Sequence, residues 1–124
     1  FIMMQKEVAQ RLVAKINTKE YGRLTVVVGA YLDVKLCFPI KPDVFIPKPG
    51  VDSAIVHFTK KNTPLIEASK YLKFHKIVRA AFSQRRKMLR NTLKAFDISS
   101  EIIGQIDFSR RPETLTISEF ASLV

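Results

Sequence analysis

Apolar positions along this chain follow two regimes, the first with the period of strands and the second with the period of helices. The opening run Phe1-Ile2-Met3-Met4 is uniformly apolar and reads as a strand that starts abruptly, so the sequence is expected to be a piece of a longer chain. Lys6 to Ile16 then carries Val8, Ala9, Leu12 and Val13 at helical spacing, and "NTKEYG" closes that helix. Residues 21–32, "YGRLTVVVGAYL", join β-branched residues to a helical length and leave strand and buried helix both open. Asp33 to Ile40 alternates Val34, Leu36 and Phe38 against Lys35 and Cys37, which predicts a half-buried strand ended by Pro39 and Pro42. A second strand follows, in which Val51, Ala54, Val56 and Phe58 share a face after one shift at Asp52-Ser53.

Beyond the polar "KKNTP" at 60–64, only helical spacing remains. Helices are predicted over 67–82, over 85–96 as a new helix or a continuation, and over 99–106. Thr116-Ile117-Ser118-Glu119 has the form of a capping box, opening a last helix with Ile117, Phe120, Leu123 and Val124 as its apolar side. The expected division therefore falls near residue 62, with a strand-rich part at 1–62 and a helical part at 63–124.

Charge changes this picture more than composition does. An apolar fraction of 47% is ordinary for a globular protein, whereas a net charge of +10 over 124 residues is not. Such an excess favours a polyanion: nucleic acid first, an acidic membrane surface second. From Lys70 to Lys94 there are nine Lys and Arg and no Asp or Glu. On a continuous helical wheel Phe74, Ile77, Val78, Ala81, Phe82, Met88, Leu89 and Leu93 take one half. Lys76, Arg79, Arg86, Lys87, Arg90 and Lys94 take the other, with Lys73 at its margin. A solvated face would mix both signs, because like charges one turn apart repel. These seven residues are therefore assigned to nucleic acid. A membrane-surface helix is the rival, but its apolar half is needed to close the helical core. Arg85 points to the apolar side of that wheel. Either Ser83-Gln84 breaks the helix, with Ser83 as a new N-cap, or Arg85 is buried and paired with a carboxylate; the break is the preferred reading.

Catalytic constellations are hard to find. His57 and His75 have no matched serine, cysteine or carboxylate spacing, and the four glycines are too far apart to cradle a phosphate. No metal site is expected, and the single cysteine, Cys37, reads as a small buried hydrophobe in a reducing compartment. No leader peptide is indicated by the first ten residues, and no window approaches the ~20 apolar residues of a membrane span. "VFIPKPGVDSAIVHF" is the remaining oddity. Pro47 and Pro49 stiffen the loop, Gly50 permits a sharp entry, and Asp52 and Ser53 can bond loop amides. A rigid loop suits one side chain held against a substrate, and Phe45 is that side chain. The residues alone leave its ring two places, on a nucleic-acid base or in the core.

Five ordered stretches carry a resemblance: "MMQKEVAQRLVAK", "KEYGRL", "FIPKPGVDSAIV", "FSQRRKMLRNTL" and "RRPETLTISEF". Together they resemble the C-terminal half of the bacterial small-subunit ribosomal RNA adenine N6-dimethyltransferases, the kasugamycin-sensitivity dimethyladenosine transferase family. The resemblance implies an α/β fold: the last strands of a Rossmann-like methyltransferase sheet, followed by a small all-helical domain. It implies use of S-adenosylmethionine to place two methyl groups on N6 of each of two adjacent adenosines near the 3′ end of small-subunit rRNA. The family's cofactor loop, ribose-binding acid and "N-[LI]-P-Y" motif lie upstream of the matching region. No catalytic or cofactor residue is therefore assigned here, and the chain alone is expected to be inactive. The loop from Phe45 to Ala54 resembles the motif bordering the target-base pocket. Phe45 is then the ring that stacks on the adenine, with Pro47, Pro49, Val51, Asp52 and Ser53 framing it. Small-subunit rRNA and the assembling subunit are the implied partners, in the cytoplasm. Two departures stand out: Ile16-Asn17 where relatives usually have Pro-Gly, and Gly29 where glutamine is common. The alternatives are a stand-alone RNA-binding module, or a basic scaffold that holds a protein partner through an exposed apolar edge. That edge, around Phe1 to Met4, is expected to promote self-association.

Overall fold

A computed structural model of the chain describes residues 1–40 and 52–124. Strand β1 (Ile2–Gln5) passes directly into helix α1 (Lys6–Leu12); α2 (Arg23–Gly29), β2 (Leu32–Ile40) and β3 (Ser53–Lys60) follow. The rest is helical: α3 (Tyr71–Ser83), α4 (Leu89–Thr92), α5 (Ser100–Gln105) and α6 (Ile117–Ser122), with 3-10 turns at Ala68–Lys70 and Pro112–Thr114. The strands form one antiparallel sheet in the order β1-β3-β2.

The ambiguous segment at 21–32 is helical. Gly22 N–H donates to Thr25 Oγ1 at 3.2 Å, and the Thr25 hydroxyl in turn donates to the Arg11 carbonyl, so α2 is tied at its start to the end of α1. Val26 and Ala30, one turn apart, are fully buried with Tyr21 in the main core. Tertiary burial overrides the β-branched preference of Val26-Val27-Val28 here. Asn17 and Gly29 each occupy a constrained place. Asn17 adopts φ 64°, a left-handed conformation that asparagine tolerates, and its N–H donates to the Glu113 carbonyl at 2.8 Å. At Gly29 a Cβ would lie 2.5 Å from Ile117 Cδ1, the end of a flexible side chain on α6 that would have to turn aside.

Two expectations for the sheet are corrected. Pro39 lies within β2 and does not end it, which an edge strand tolerates because its outward N–H is not needed in the ladder. The alternation Val34, Leu36, Phe38 is also broken, because the register shifts between Leu36 and Phe38 in a bulge at Cys37. Leu36 opposes Val56, but Phe38 opposes Ile55 on the other face. Ala54, Val56 and Phe58 point to α1, where Ala9, Met4 and Val34 complete a small core. The opposite face carries Phe1, Met3 and Phe38, exposed by 83%, 51% and 55%, and Phe1 stacks on His57 at 4.5 Å. Cys37 is half-buried, not a core residue.

The main core is helical and draws on both sides of residue 62. Tyr21, Val26 and Ala30 pack with Phe74, Ile77, Val78, Ala81, Leu89, Leu93, Leu115 and Phe120. Tyr21 Oη donates to the Leu115 carbonyl at 2.6 Å, and Leu65 N–H to the Ala30 carbonyl at 3.1 Å. Burial, aided by the Glu119 charge, pushes the Tyr21 phenol well above its ordinary pKa, so it stays a neutral donor. Packing thus continues across the compositional boundary.

Candidate nucleic-acid interface

Helix α3 forms because Phe74, Ile77, Val78 and Ala81 recur at helical spacing, and all four are fully buried. That fixes Lys73, Lys76 and Arg79 outward, and they are exposed. The helix does not continue. It ends at Ser83, Gln84 is extended at ψ 82°, and α4 starts only at Leu89 after an extended Met88. The helix predicted over 85–96 is thus one turn long. Leu89 N–H bonds to the Arg110 carbonyl at 2.9 Å and Arg90 N–H to the Phe108 carbonyl at 3.0 Å, partners that a linear pattern cannot show. Arg86, Lys87, Arg90 and Lys94 are exposed nonetheless.

The seven basic residues share exposure but not surroundings. Lys73 Nζ donates to the Asp97 carbonyl at 2.8 Å. Arg90 is near Asp107, whose carboxyl is held below the usual range mainly by hydrogen bonds from Ser109, with Arg110 and Arg90 adding to the effect. Lys76 and Arg79 line a groove with Arg23 of α2. Arg86 and Lys87 occupy the turn after α3, where Lys87 N–H donates to the Gln84 carbonyl at 3.0 Å.

Arg85 follows the break, as expected, but Ser83 does not cap a new helix: its hydroxyl donates back to the Ala80 carbonyl at 2.6 Å. Among the described residues no carboxylate meets Arg85 either. Its guanidinium donates to the carbonyls of Lys19 at 3.0 Å and Thr18 at 3.4 Å, and sits 5.7 Å from the centre of the Phe82 ring. Its charge is therefore held in place without being neutralised. Arg85 shares a second groove, of about 380 Å³, with Arg11, Lys19 and Arg23. Lys19 and Arg23 from the first third of the chain extend the basic surface and were missed from the sequence, whereas Arg11 is paired with Glu7 at 2.8 Å and Glu20 also lines the groove. Reading 21–32 as a helix would have placed Arg23 and Val27 on one face, and that was the available signal.

For the proline loop, Phe45, Pro47, Pro49 and Val51 lie outside the described residues. Its flanks are fixed: Ile40 opposes Ser53 across the β2–β3 ladder, and Lys6 N–H donates to the Asp52 carbonyl at 2.8 Å. Ser53 is buried and Asp52 exposed. Both histidines have aromatic neighbours, His57 stacked under Phe1 and His75 tilted against Tyr71 with ring centres 4.1 Å apart. Among the described residues, no three His, Cys, Asp or Glu side chains gather as metal ligands. No helix there is long and apolar enough to cross a membrane.

The fold is that of the α/β methyltransferases. A dimethyladenosine transferase from Plasmodium falciparum superimposes with a TM-score of 0.76 at 24% identity, over 98% of this chain and 54% of its own. The 23S rRNA methyltransferase ErmE superimposes with a TM-score of 0.65 at 19% identity, over 98% and 51%. Residues 1–120 match the family model described as ribosomal RNA adenine dimethylase, and the chain belongs to that family. It is 44% identical to the ribosomal RNA small subunit methyltransferase A of Chlamydia caviae and 43% identical to that of Clostridium acetobutylicum, over 98% of this chain in each case. It spans less than half of either relative, 46% of the length.

Proposed function

We propose that the chain is the C-terminal portion of an S-adenosylmethionine-dependent rRNA adenine N6,N6-dimethyltransferase acting on two adjacent adenosines near the 3′ end of small-subunit rRNA. Residues 63–124 act as the rRNA-holding unit through Lys73, Lys76, Arg79, Arg86, Lys87, Arg90 and Lys94. The loop from Phe45 to Ala54 borders the pocket for an adenine that has left its stack, with Phe45 against the base. The observation that carries the reading is a set of exposed Lys and Arg side chains from a segment, Lys70 to Lys94, without a single Asp or Glu, in a chain that matches the family over residues 1–120.

S-adenosylmethionine supplies the methyl group when bound, but the described residues do not fit a cradle for it. β1 enters α1 with no glycine turn between them, Gly22 precedes α2, Gly29 faces Ile117 and Gly104 lies in α5. In this reading cofactor binding and the chemical step fall to the part of the family's length that the chain does not span, and the chain alone is inactive. Its partners are small-subunit rRNA and the assembling subunit in the cytoplasm. The deciding experiment is RNA affinity as a function of salt for the wild type and an Arg86→Ala/Lys87→Ala variant.

A further inference from the structure

The groove between α2 and α3 combines charge with apolar surface in a way that plain phosphate binding does not require. It encloses about 390 Å³ between Arg23, Leu24 and Val27 of α2 and His75, Lys76 and Arg79 of α3. Arg23 and Val27 stand one turn apart on α2, as do His75 and Arg79 on α3, so the helical repeat builds both walls. Among the described residues, none of Arg23, Lys76 and Arg79 has a carboxylate or carbonyl partner for its side chain. Three unpaired cations around one groove repel one another and favour an anion between them. In the same groove Leu24 is 40% exposed, and the His75 ring carries a buried Nε2 that has no hydrogen-bond partner among the described residues.

Building on the RNA-binding reading above, we propose that this groove is a subsite for one unpaired nucleotide of the RNA. The cations take its phosphate, and Leu24, Val27 and the His75 ring take its base. A base within a duplex keeps its faces stacked on its neighbours and cannot use the apolar wall; an unpaired one can. Past Arg23 the surface continues into the groove of Lys19 and Arg85, where Glu20 also lines the wall and Arg11 is paired with Glu7, so a neighbouring phosphate would meet Lys19 and Arg85.

The test compares three RNAs: a blunt hairpin, the same hairpin with a three-adenosine 3′ tail, and that tail made abasic. The adenosine tail should raise affinity for the wild-type chain about tenfold, as one stacked base does, and the abasic tail much less. Leu24→Ala, at an exposed position outside the basic surface, should abolish most of the gain while changing blunt-hairpin affinity less than about threefold. Leu24→Ser carries the same test if the alanine variant melts early. No tail gain in the wild type, an equal gain from the abasic tail, or a gain that survives the substitutions would overturn the subsite and leave the RNA-binding reading intact. Salt-independent or absent binding of the blunt hairpin would overturn both.

Discussion

The Arg85 guanidinium donates to the Lys19 carbonyl at 3.0 Å across 66 residues of sequence, fastening the end of α3 to the turn before α2. Arg85→Lys keeps the charge but loses the fork that reaches two carbonyls. It should lower stability by about 0.5–1.5 kcal/mol with little change in the salt dependence of RNA binding. Arg85→Ala should lower stability similarly and also reduce the slope of log affinity against log salt, by at most about one. Urea midpoints and RNA titrations of both variants check this. An equal slope for wild type and Arg85→Ala would show that this charge never faces phosphate.

Arg86 and Lys87 have no carboxylate partner among the described residues. Replacing both with alanine should flatten the same slope by about 1.4–1.8, the lower figure for single-stranded and the higher for duplex RNA. All RNAs should weaken alike, because phosphate contacts carry no sequence information. Lys73→Ala should change the slope less, since that ammonium already bonds the Asp97 carbonyl. Affinities measured at four or five salt concentrations decide it, and an unchanged slope in the double variant would reduce the basic surface to a solvated one.

Glu119 receives two hydrogen bonds from Arg110, at 2.6 and 3.2 Å, and one from Thr116 N–H at 3.0 Å. The Arg110 guanidinium, with help from Thr116, holds its carboxyl below the ordinary carboxylate range. A depressed folded-state pKa means stability that is fully present above the unfolded value near 4.5 and lost as pH falls through the folded value. Glu119→Gln should therefore destabilise the chain at neutral pH by roughly 0.5–1.5 kcal/mol, the pair being about one-third exposed and screened accordingly. The loss should shrink as pH drops below 4.5, and urea unfolding from pH 3 to pH 7 measures it.

The sheet face bearing Phe1, Met3 and Phe38 is open to solvent, and β2 is an edge. We expect the isolated chain to associate through it at high concentration, and Phe38→Lys to shift the sedimentation profile toward monomer with little loss of stability. A monomeric wild type at millimolar concentration would contradict this.

What the sequence showed of this molecule was set by how local each cause is. Thr116 and Glu119 form their capping box within four residues, at 3.0 and 3.2 Å, and Ser99 accepts from Ile102 N–H at 3.3 Å, so those helix starts were readable. The inward spacing of Phe74, Ile77, Val78 and Ala81 was equally plain. The break after Ser83 was visible as a misfit at Arg85. Its resolution was not, because the Lys19, Phe108 and Arg110 carbonyls that satisfy the next stretch lie far away in sequence. The bulge at Cys37 was hidden for a related reason: an inserted residue leaves the alternation looking intact while turning Phe38 to the other face. Of the candidate site, charge was legible from counting and partnership was not; Arg23 joins Lys76 and Arg79 only once α2 is packed on α3.

The bond from Tyr21 to Leu115 spans 94 residues, and it sets an order of events during synthesis. A ribosome adding 5–20 residues per second needs roughly 5–20 s to travel that distance. For that interval α2 has been made but the strand of chain that covers Tyr21 has not, so Val26, Ala30 and the phenol ring wait unburied in the nascent polypeptide. The core can thus close only once Leu115 has left the ribosome, and until then α2 is an apolar segment that a chaperone would have to shield.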